Sequence, residues 1–161
     1  MFASKKILYA LLFTLIFSKC SYSDGFPRGC EVTGFGYDGT HLVLNENGNQ
    51  AYYLIQNRGL RDIELQRVEN PDEFMSPQLT ARLLPQNWAA FASDVEHLHF
   101  QCFNIEETKR IKVDCREILD VCQYPRAKFA LSNMGNYWVS VNKDRSQIIT
   151  DSTAKGIYLR W

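Results

Sequence analysis

The chain has 161 residues, 45% of them hydrophobic, and its 18 basic side chains balance its 18 acidic ones at a formal net charge of zero. This composition is typical of a globular protein with a hydrophobic core. The charges form no basic stripe and no block of like charge. Nucleic-acid binding and attachment through a polybasic membrane patch are therefore excluded as functions.

The first 23 residues have the layout of a secretory signal peptide. Lys5 and Lys6 precede the apolar run ILYALLFTLIF, which is shorter than the roughly 20 apolar residues of a membrane-spanning helix. Ser21 and Ser23 form the small-x-small pattern that signal peptidase recognises, which predicts cleavage before Asp24.

Cys20 would be discarded with this peptide. In a lipoprotein the cut would fall before Cys20, but the small residue that such signals carry at the preceding position is replaced by Lys19. An uncleaved anchor is the third alternative. Cleavage after residue 23 leaves residues 24–161 as a single domain, with 15 basic and 18 acidic side chains. The absence of an N-x-S/T acceptor from the sequence favours a bacterial periplasm or exterior.

Short runs rich in β-branched and aromatic residues predict strands along the first half of the mature chain. CEVTGFGYDGTHLVLN predicts two strands around an Asp38-Gly39 turn, and AYYLIQN and IELQRVE predict two more. NPDEFMSP, between Pro71 and Pro77, predicts a connection. NWAAFASDV predicts a helical turn or two after Pro85.

In the second half, HLHFQCF and RIKVDC predict a hairpin with the polar tip EETK. Asp114 and Glu117 form a capping box that predicts a short helix in CREILDVC. KFALS and YWVSV predict a hairpin across NMGN, and GIYLRW predicts the last strand. Many short strands with little helix predict one mostly-β domain, a β-sandwich or a small barrel.

The four remaining cysteines, Cys30, Cys102, Cys115 and Cys122, predict two disulfides in an oxidising compartment. A helix through CREILDVC would hold Cys115 and Cys122 about 10 Å apart, too far for a bridge. Of the two pairings that remain, Cys102–Cys115 with Cys30–Cys122 is preferred, because the predicted hairpin brings its two ends opposite each other. A zinc site is the rival interpretation, but no C-x-x-C spacing supports it.

Three histidines are weak candidates for a metal site, which would make the protein a metalloprotein or hydrolase of the periplasm. His97 and His99 lie two apart on a predicted strand and would share a face with each other, and His41 could complete a set of three. In the simpler interpretation both strand histidines face solvent while Leu98 and Phe100 face inward. That interpretation predicts no bound metal.

No pattern in the sequence predicts catalysis. The acidic pairs Asp94 with Glu96 and Glu106 with Glu107 are sequence neighbours in predicted turns, which does not place them across a cleft. A G-x-S-x-G nucleophile elbow and a Gly-rich phosphate loop are both absent from the sequence. We expect a protein that is not an enzyme and needs no cofactor.

The densest patch of polar and aromatic residues is SNMGNYWVSVN. Tyr137 or Trp138, beside Asn133 and Asn136, could bind a protein partner or stack on a sugar. The alternative is a hairpin whose turn simply prefers Asn and Gly.

The chain ends in GIYLRW, where apolar positions alternate up to Trp161, as at the end of an outer-membrane barrel. DIELQRVE and RIKVDC cannot supply the apolar outer band that a barrel needs, so a small outer-membrane barrel is only an alternative. We expect no stable membrane insertion after signal cleavage.

Taken together, GCEVTGFG, YLIQN, FMSP, NWAAFASDVEHLHFQCF, DVCQYPRAKFALSNMGNYWVS and TAKGIYLRW resemble the enhanced-entry protein B family. These are small exported proteins of bacteria that replicate inside host cells. The resemblance covers residues 26–161 and rests on sequence texture, without a catalytic signature. It implies a periplasmic or secreted virulence protein associated with entry into host cells, and it supplies no reaction, cofactor or catalytic residue.

Overall fold

The structure is a computed structural model that describes residues 25–46, 49–68, 79–129 and 137–159, except for the side chains of residues 137 and 138. The described residues form ten strands and two helices. In chain order these are β1 (Phe35–Asp38), β2 (His41–Leu44), β3 (Ala51–Asn57), β4 (Ile63–Val68), β5 (Thr80–Leu83), β6 (Trp88–Ser93), β7 (Leu98–Glu106), β8 (Lys109–Val113), α1 (Cys115–Ile118), β9 (Leu119–Tyr124), β10 (Tyr137–Lys143) and α2 (Arg145–Ala154).

The strands form two antiparallel sheets that pack face to face. The first sheet has the order β1-β2-β7-β4-β5, and β8 pairs with the part of β7 that β2 leaves free. The second sheet has the order β10-β6-β3-β9. The mostly-β sandwich with two disulfides that the sequence predicts is confirmed.

Alternation along the strands puts one apolar face of each sheet into a shared core. Tyr53 and Ile55 of β3 face this core from the second sheet, and Leu98 and Phe100 of β7 face it from the first. The rings of Phe91 and Phe100 meet edge to face across the two sheets, with centroids 5.4 Å apart. The core therefore fixes the stacking of the sheets through both strand alternation and ring geometry.

The second sheet is buried on its outer face as well. Tyr52 and Leu54 lie there in a second cluster together with Ile148 of α2 and Ile157 of the segment that follows it. The Tyr52 hydroxyl lies 2.5 Å from Ser152 Oγ of α2, and burial is the main reason why the pKa of this phenol is raised. The molecule thus has three layers: sheet, sheet, and a cover that includes α2.

This double burial explains why the helix predicted in NWAAFASDV is wrong. All six residues of β6 are buried, and the strand pairs with β3 on one side and β10 on the other. A strand that is buried on both faces loses the polar-apolar alternation that identifies strands in a sequence. Its run of small and aromatic residues is then indistinguishable from a short buried helix.

Two predictions near the ends of elements are also wrong. The helix in CREILDVC ends at Ile118, and the chain enters β9 at Leu119, where it pairs with β3. Asp114 does cap this short helix, since its side chain accepts a hydrogen bond from the Arg116 N–H at 2.9 Å. GIYLRW, predicted as a strand, makes only an isolated bridge between Tyr158 and Lys128 in its described part, and α2, which was not predicted, precedes it.

The predicted pairing of KFALS with YWVSV is not seen in the described residues. β10 pairs with β6 instead, and Lys128 pairs with Tyr158. Part of KFALS and the NMGN turn lie outside the described residues. The two predicted hairpins β1–β2 and β7–β8 are confirmed, with registers Asp38↔His41 and Glu106↔Lys109 at their turns.

Both predicted disulfides are present. Cys102–Cys115 has a Cα–Cα distance of 5.3 Å and ties β7 to the start of α1. Cys30–Cys122 has a Cα–Cα distance of 5.5 Å and ties the N-terminal segment to β9. The prediction was correct although its helical premise holds only as far as Ile118, because β9 carries Cys122 away from Cys115.

Candidate binding surface

Asn57, at the end of β3, organises the loop that leads into β4. Its side chain is fully buried and uses both polar atoms. The Nδ2 group donates to the carbonyl oxygens of Arg61 at 2.7 Å and Leu83 at 3.1 Å. The Oδ1 atom accepts from the Gly59 N–H at 2.9 Å. One buried amide therefore closes the loop on itself and joins it to β5.

Arg58 holds the same loop against α1. Its guanidinium donates to the carbonyl oxygens of Arg116 at 2.8 Å and Glu117 at 3.0 Å, two of the carbonyls at the end of that helix. It also lies 3.3 Å from a carboxylate oxygen of Asp120. A cation at the end of a helix satisfies carbonyls that have no helical partner.

A third attachment comes from the loop between β5 and β6. The side-chain amide of Gln86 donates to the carbonyl oxygens of Arg58 at 2.9 Å and Gly59 at 3.3 Å. Gln86 itself has a left-handed backbone with φ of 61°, and its N–H donates to the Asn57 carbonyl. Residues 58–62 are thus tied to three different parts of the fold.

This restrained loop exposes a large apolar side chain. Leu60 is 90% exposed, and Leu84 of the adjoining loop is 40% exposed. The Leu84 N–H donates to Asn142 Oδ1 at 2.8 Å, so the second loop is restrained as well. We call residues 58–62 and 84–87 the Leu60 surface. The Leu60 surface presents an apolar centre on backbone that is already ordered in the folded protein. Binding a partner therefore loses less conformational entropy than binding through a flexible loop would.

Charged side chains surround this centre. Arg61 pairs with Glu106 at the tip of the β7–β8 hairpin, and Arg82 lies 2.6 Å from Asp62. Next to the first pair, a depression of about 400 Å³ is lined by Arg61, Glu106, Glu107, Thr108 and Lys109. Exposed ion pairs contribute little to stability, about 0–1 kcal/mol each. An apolar centre within a polar rim is the usual anatomy of a protein-binding surface.

The sequence did not indicate this surface. RGLRD lies between the predicted strands AYYLIQN and IELQRVE, and no pattern in it predicted a binding site. The available signal was Leu60 itself, an apolar residue in a loop of otherwise polar residues. A single exposed leucine is common, however, and its restraint by Asn57, Arg58 and Gln86 is visible only in the folded chain.

The three histidines do not form the metal site that was considered. His97 is not on a strand: it precedes β7 with a left-handed φ of 51°, and its side chain lies 3.4 Å from Glu96. His99 is on β7 and is half-buried with its Nδ1 atom buried, so the prediction that it faces solvent is wrong. Its neighbours Leu98 and Phe100 are buried as predicted. Within the described ranges, no three His, Cys, Asp or Glu side chains are grouped to hold a metal ion.

His41 has partners for both of its ring nitrogens. Nδ1 lies 3.2 Å from the carbonyl oxygen of Asp38, and Nε2 lies 3.2 Å from the ammonium of Lys112. These partners fix the tautomer: Nδ1 carries the proton and donates, while Nε2 accepts. Burial and then Lys112 lower the pKa of His41 below 6.5. His41 is therefore a neutral structural histidine, and neither nitrogen is free to bind a metal.

The predicted aromatic patch is described only in part. Tyr137 and Trp138 begin β10, and their backbones pair with Ser93 and Ala92. Their side chains, and Asn133 and Asn136, lie outside the described residues. A binding role for these four residues stays a prediction.

The predicted acidic pairs lie at strand ends and in turns, and Glu106 and Glu107 line the depression beside Arg61. Asp94 and Glu96 are exposed between β6 and β7. Glu106 ends β7, where it pairs with Arg61, and Glu107 is in the hairpin turn with φ of 49°.

Comparison with protein-family models, with curated proteins and with solved structures found no match. The resemblance to the enhanced-entry protein B family is therefore still a prediction. In the part of the chain that the structure describes, neither helix is long and apolar enough to cross a membrane.

Proposed function

We propose that the chain is an exported bacterial protein that acts by binding another protein rather than by catalysis, in the cell envelope or at the surface of a host cell. The observation that carries this proposal is Leu60, which is 90% exposed on a loop held by Asn57, Arg58 and Gln86. An apolar side chain on restrained backbone, within a polar rim, is typical of the anchor residue of an interface.

Two further features support export. Residues 1–23 have the layout of a signal peptide, and both disulfides belong to the kind that persists in oxidising compartments. The texture shared with the enhanced-entry protein B family is consistent with a role in entry into host cells. The partner would be a protein with an apolar pocket that accepts Leu60 and a polar margin that faces Arg61 and Arg82.

Site-specific photo-crosslinking tests the surface directly. A photoreactive amino acid placed at position 60 in living bacteria, or during contact with host cells, should crosslink one partner that mass spectrometry identifies. The matched control is the same amino acid at Val32, which is also apolar and 68% exposed but lies outside the Leu60 surface. Equal crosslinking from both positions, or none from position 60, would contradict the proposal.

Substitution then measures the contribution of the side chain. Leu60→Asp should reduce binding of the identified partner at least about tenfold, because loss of a central anchor costs about 2 kcal/mol or more and about 1.4 kcal/mol corresponds to tenfold. Leu60→Met keeps an apolar side chain and should bind nearly as well. Bacteria that lack the gene for this protein can be complemented with each variant. Their entry into host cells should fall in the same order as the affinity of the variants for the partner.

Export is tested separately by the mass of the natural protein. Cleavage after Ser23 predicts a chain that begins at Asp24 with no free thiol. A lipid adduct on Cys20 would show instead that the chain is a lipoprotein. A full-length protein with free thiols would contradict export.

A further inference from the structure

β8 is an edge strand with one described strand partner. It pairs with β7 over Lys109–Val113, while β4 occupies the other side of β7. β2 shares the β8 side but pairs only with Leu98, His99 and Phe100. Lys109, Arg110, Ile111 and Lys112 are all exposed. The outer side of β8 is therefore open within the described structure.

The register shows which backbone groups point outward. The Ile105 N–H donates to the Asp62 carbonyl at 2.9 Å, on the side of β7 away from β8. Ile105 and Arg110 are consequently a pair without mutual hydrogen bonds, and such pairs alternate along an antiparallel ladder. Phe103 and Lys112 form the next one. The N–H and C=O groups of Arg110 and Lys112 therefore face the open edge.

The side chains of these two residues turn back over the sheet. Arg110 lies 2.5 Å from Glu64 Oε1, donates to Gln66 Oε1 at 2.5 Å and stacks on the Phe103 ring at 4.3 Å. The Lys112 ammonium contacts His41. Edge strands are often protected by charged side chains or proline. Here both cations are held on the face of the sheet, and the backbone at the edge is left accessible.

We propose that β8 binds an extended acidic segment of a partner protein, which adds a strand to the first sheet. Main-chain hydrogen bonds to Arg110 and Lys112 would supply affinity. β8 has three cations and no carboxylate, but Glu64 already pairs with Arg110, so Lys109 and Lys112 supply most of the attraction for an acidic segment. Ile111, 43% exposed, lies on the face opposite Arg110 and Lys112. The fitting segment alternates acidic and apolar residues.

Charge also decides against a second copy of this chain as the occupant. Antiparallel pairing of two β8 strands about Ile111 would place Arg110 of each copy opposite Lys112 of the other. Like charges directly opposite each other on neighbouring strands are destabilising. This inference does not depend on the Leu60 surface: the two sites use different residues and are tested by different variants.

A synthetic peptide of about eight residues that alternates glutamate and valine is the probe, since this length lies within the usual range of strands in globular proteins. Titration into ¹⁵N-labelled mature protein, followed by NMR, should shift the amides of Arg110 and Lys112 and slow their hydrogen exchange. A peptide with lysine in place of glutamate should not bind. Raised salt should weaken the complex, because the attraction is between exposed charges.

Two pairs of variants separate the backbone and charge contributions. Lys112→Ala keeps the outward N–H and Lys112→Pro removes it, so the proline variant should bind at least about tenfold more weakly than the alanine variant. Lys109→Glu should weaken binding, whereas Lys155→Glu, an exposed site after α2, should not. The comparison of Lys109→Glu with Lys155→Glu keeps the test valid even if Lys112→Pro does not fold.

The proposal is overturned if no amide of residues 109–113 shifts at about 1 mM peptide, a concentration that detects weak complexes. It is also overturned if the lysine peptide binds equally well, or if the peptide binds at another site. Dimerisation through β8 in sedimentation experiments would identify a second copy as the occupant and would likewise overturn it.

Discussion

Single buried polar groups join distant parts of this fold. The Tyr53 hydroxyl accepts a hydrogen bond from the Asn45 N–H at 2.9 Å and donates one to the Gly34 carbonyl at 2.5 Å. Gly34 has a φ of 73°, and a Cβ there would overlap the Gln123 side chain. Burial raises the pKa of Tyr53 to about 12, so the phenol remains protonated and able to donate. One hydroxyl thus connects the loops on either side of the β1–β2 hairpin.

Tyr53→Phe should lower the free energy of unfolding by about 1–3 kcal/mol, because it keeps the ring but leaves a buried N–H and a carbonyl without a partner. Tyr158→Phe is the matched control, since Tyr158 is 62% exposed. Loss of the Tyr158 hydroxyl should change the free energy of unfolding by less than about 0.5 kcal/mol. Urea unfolding followed by fluorescence measures both. Equal stability of the two variants would show that the Tyr53 hydroxyl is replaceable by water.

His41 predicts how stability depends on pH. Its pKa in the folded state is lowered below 6.5 by burial and by Lys112, with a further contribution from His99, while Asp38 opposes the shift. The unfolded chain therefore binds more protons than the folded chain as the pH falls below 6.5. The His41 contribution is complete above that pH and is lost as the pH decreases toward the folded-state pKa.

His41→Gln should accordingly lose less stability than the wild type between pH 7.5 and pH 5. Urea midpoints at the two pH values measure this. A pH dependence unchanged by His41→Gln would mean that other groups cause the acid effect.

At the scale of elements, α2 is the part that turns a two-layer sandwich into a three-layer molecule. Asp144 caps the helix by accepting a hydrogen bond from the Gln147 N–H at 2.9 Å. Hydrogen bonds from Ser146 and from Gln147 lower the pKa of this exposed carboxyl. Only Ile148 and Ser152 of the helix are buried. They lie four residues apart and so face the second sheet together.

Ile148→Ala should therefore cost about 2–5 kcal/mol, the range for removing a fully buried isoleucine side chain. Ile149→Ala is a control of identical chemistry on the same helix, and it should cost clearly less because Ile149 is only half-buried. Urea unfolding of both variants checks the order. A larger loss for Ile149→Ala would contradict the packing of α2 described here.

At the scale of the whole molecule, the two disulfides close loops of very different length. Cys102 and Cys115 are 13 residues apart in sequence and staple one hairpin. Cys30 and Cys122 are 92 residues apart and connect the N-terminal segment to the second sheet. In the chain-entropy account, a cross-link that closes a longer loop restricts the unfolded chain more.

Replacing Cys102 and Cys115 by alanine should cost about 3 kcal/mol, and replacing Cys30 and Cys122 about 4.5 kcal/mol. Denaturant unfolding of the two double variants measures the difference. A smaller loss for the long bridge would indicate that the N-terminal segment detaches without unfolding the sheets. The chain-entropy account would then not apply to that bridge.

The sequence alone indicated the fold class and the positions of the two hairpins, and it favoured the observed pairing of Cys30, Cys102, Cys115 and Cys122 over one alternative. These features depend on local information: alternation of apolar residues, Gly and Asp at turns, and the short distance that a hairpin imposes on its ends. The partial helix after Asp114 was predicted for the same reason.

Only the tertiary structure decided which strands are buried on both faces, that residues 145–154 form a covering helix, and which exposed residues stand on rigid backbone. β6 was predicted as a helix because burial on both faces removes alternation, and α2 escaped prediction because it presents only two buried positions. Leu60 and the open edge of β8 became candidate sites through contacts with residues distant in sequence. Such contacts leave no local pattern, because they depend on how complete sheets stack.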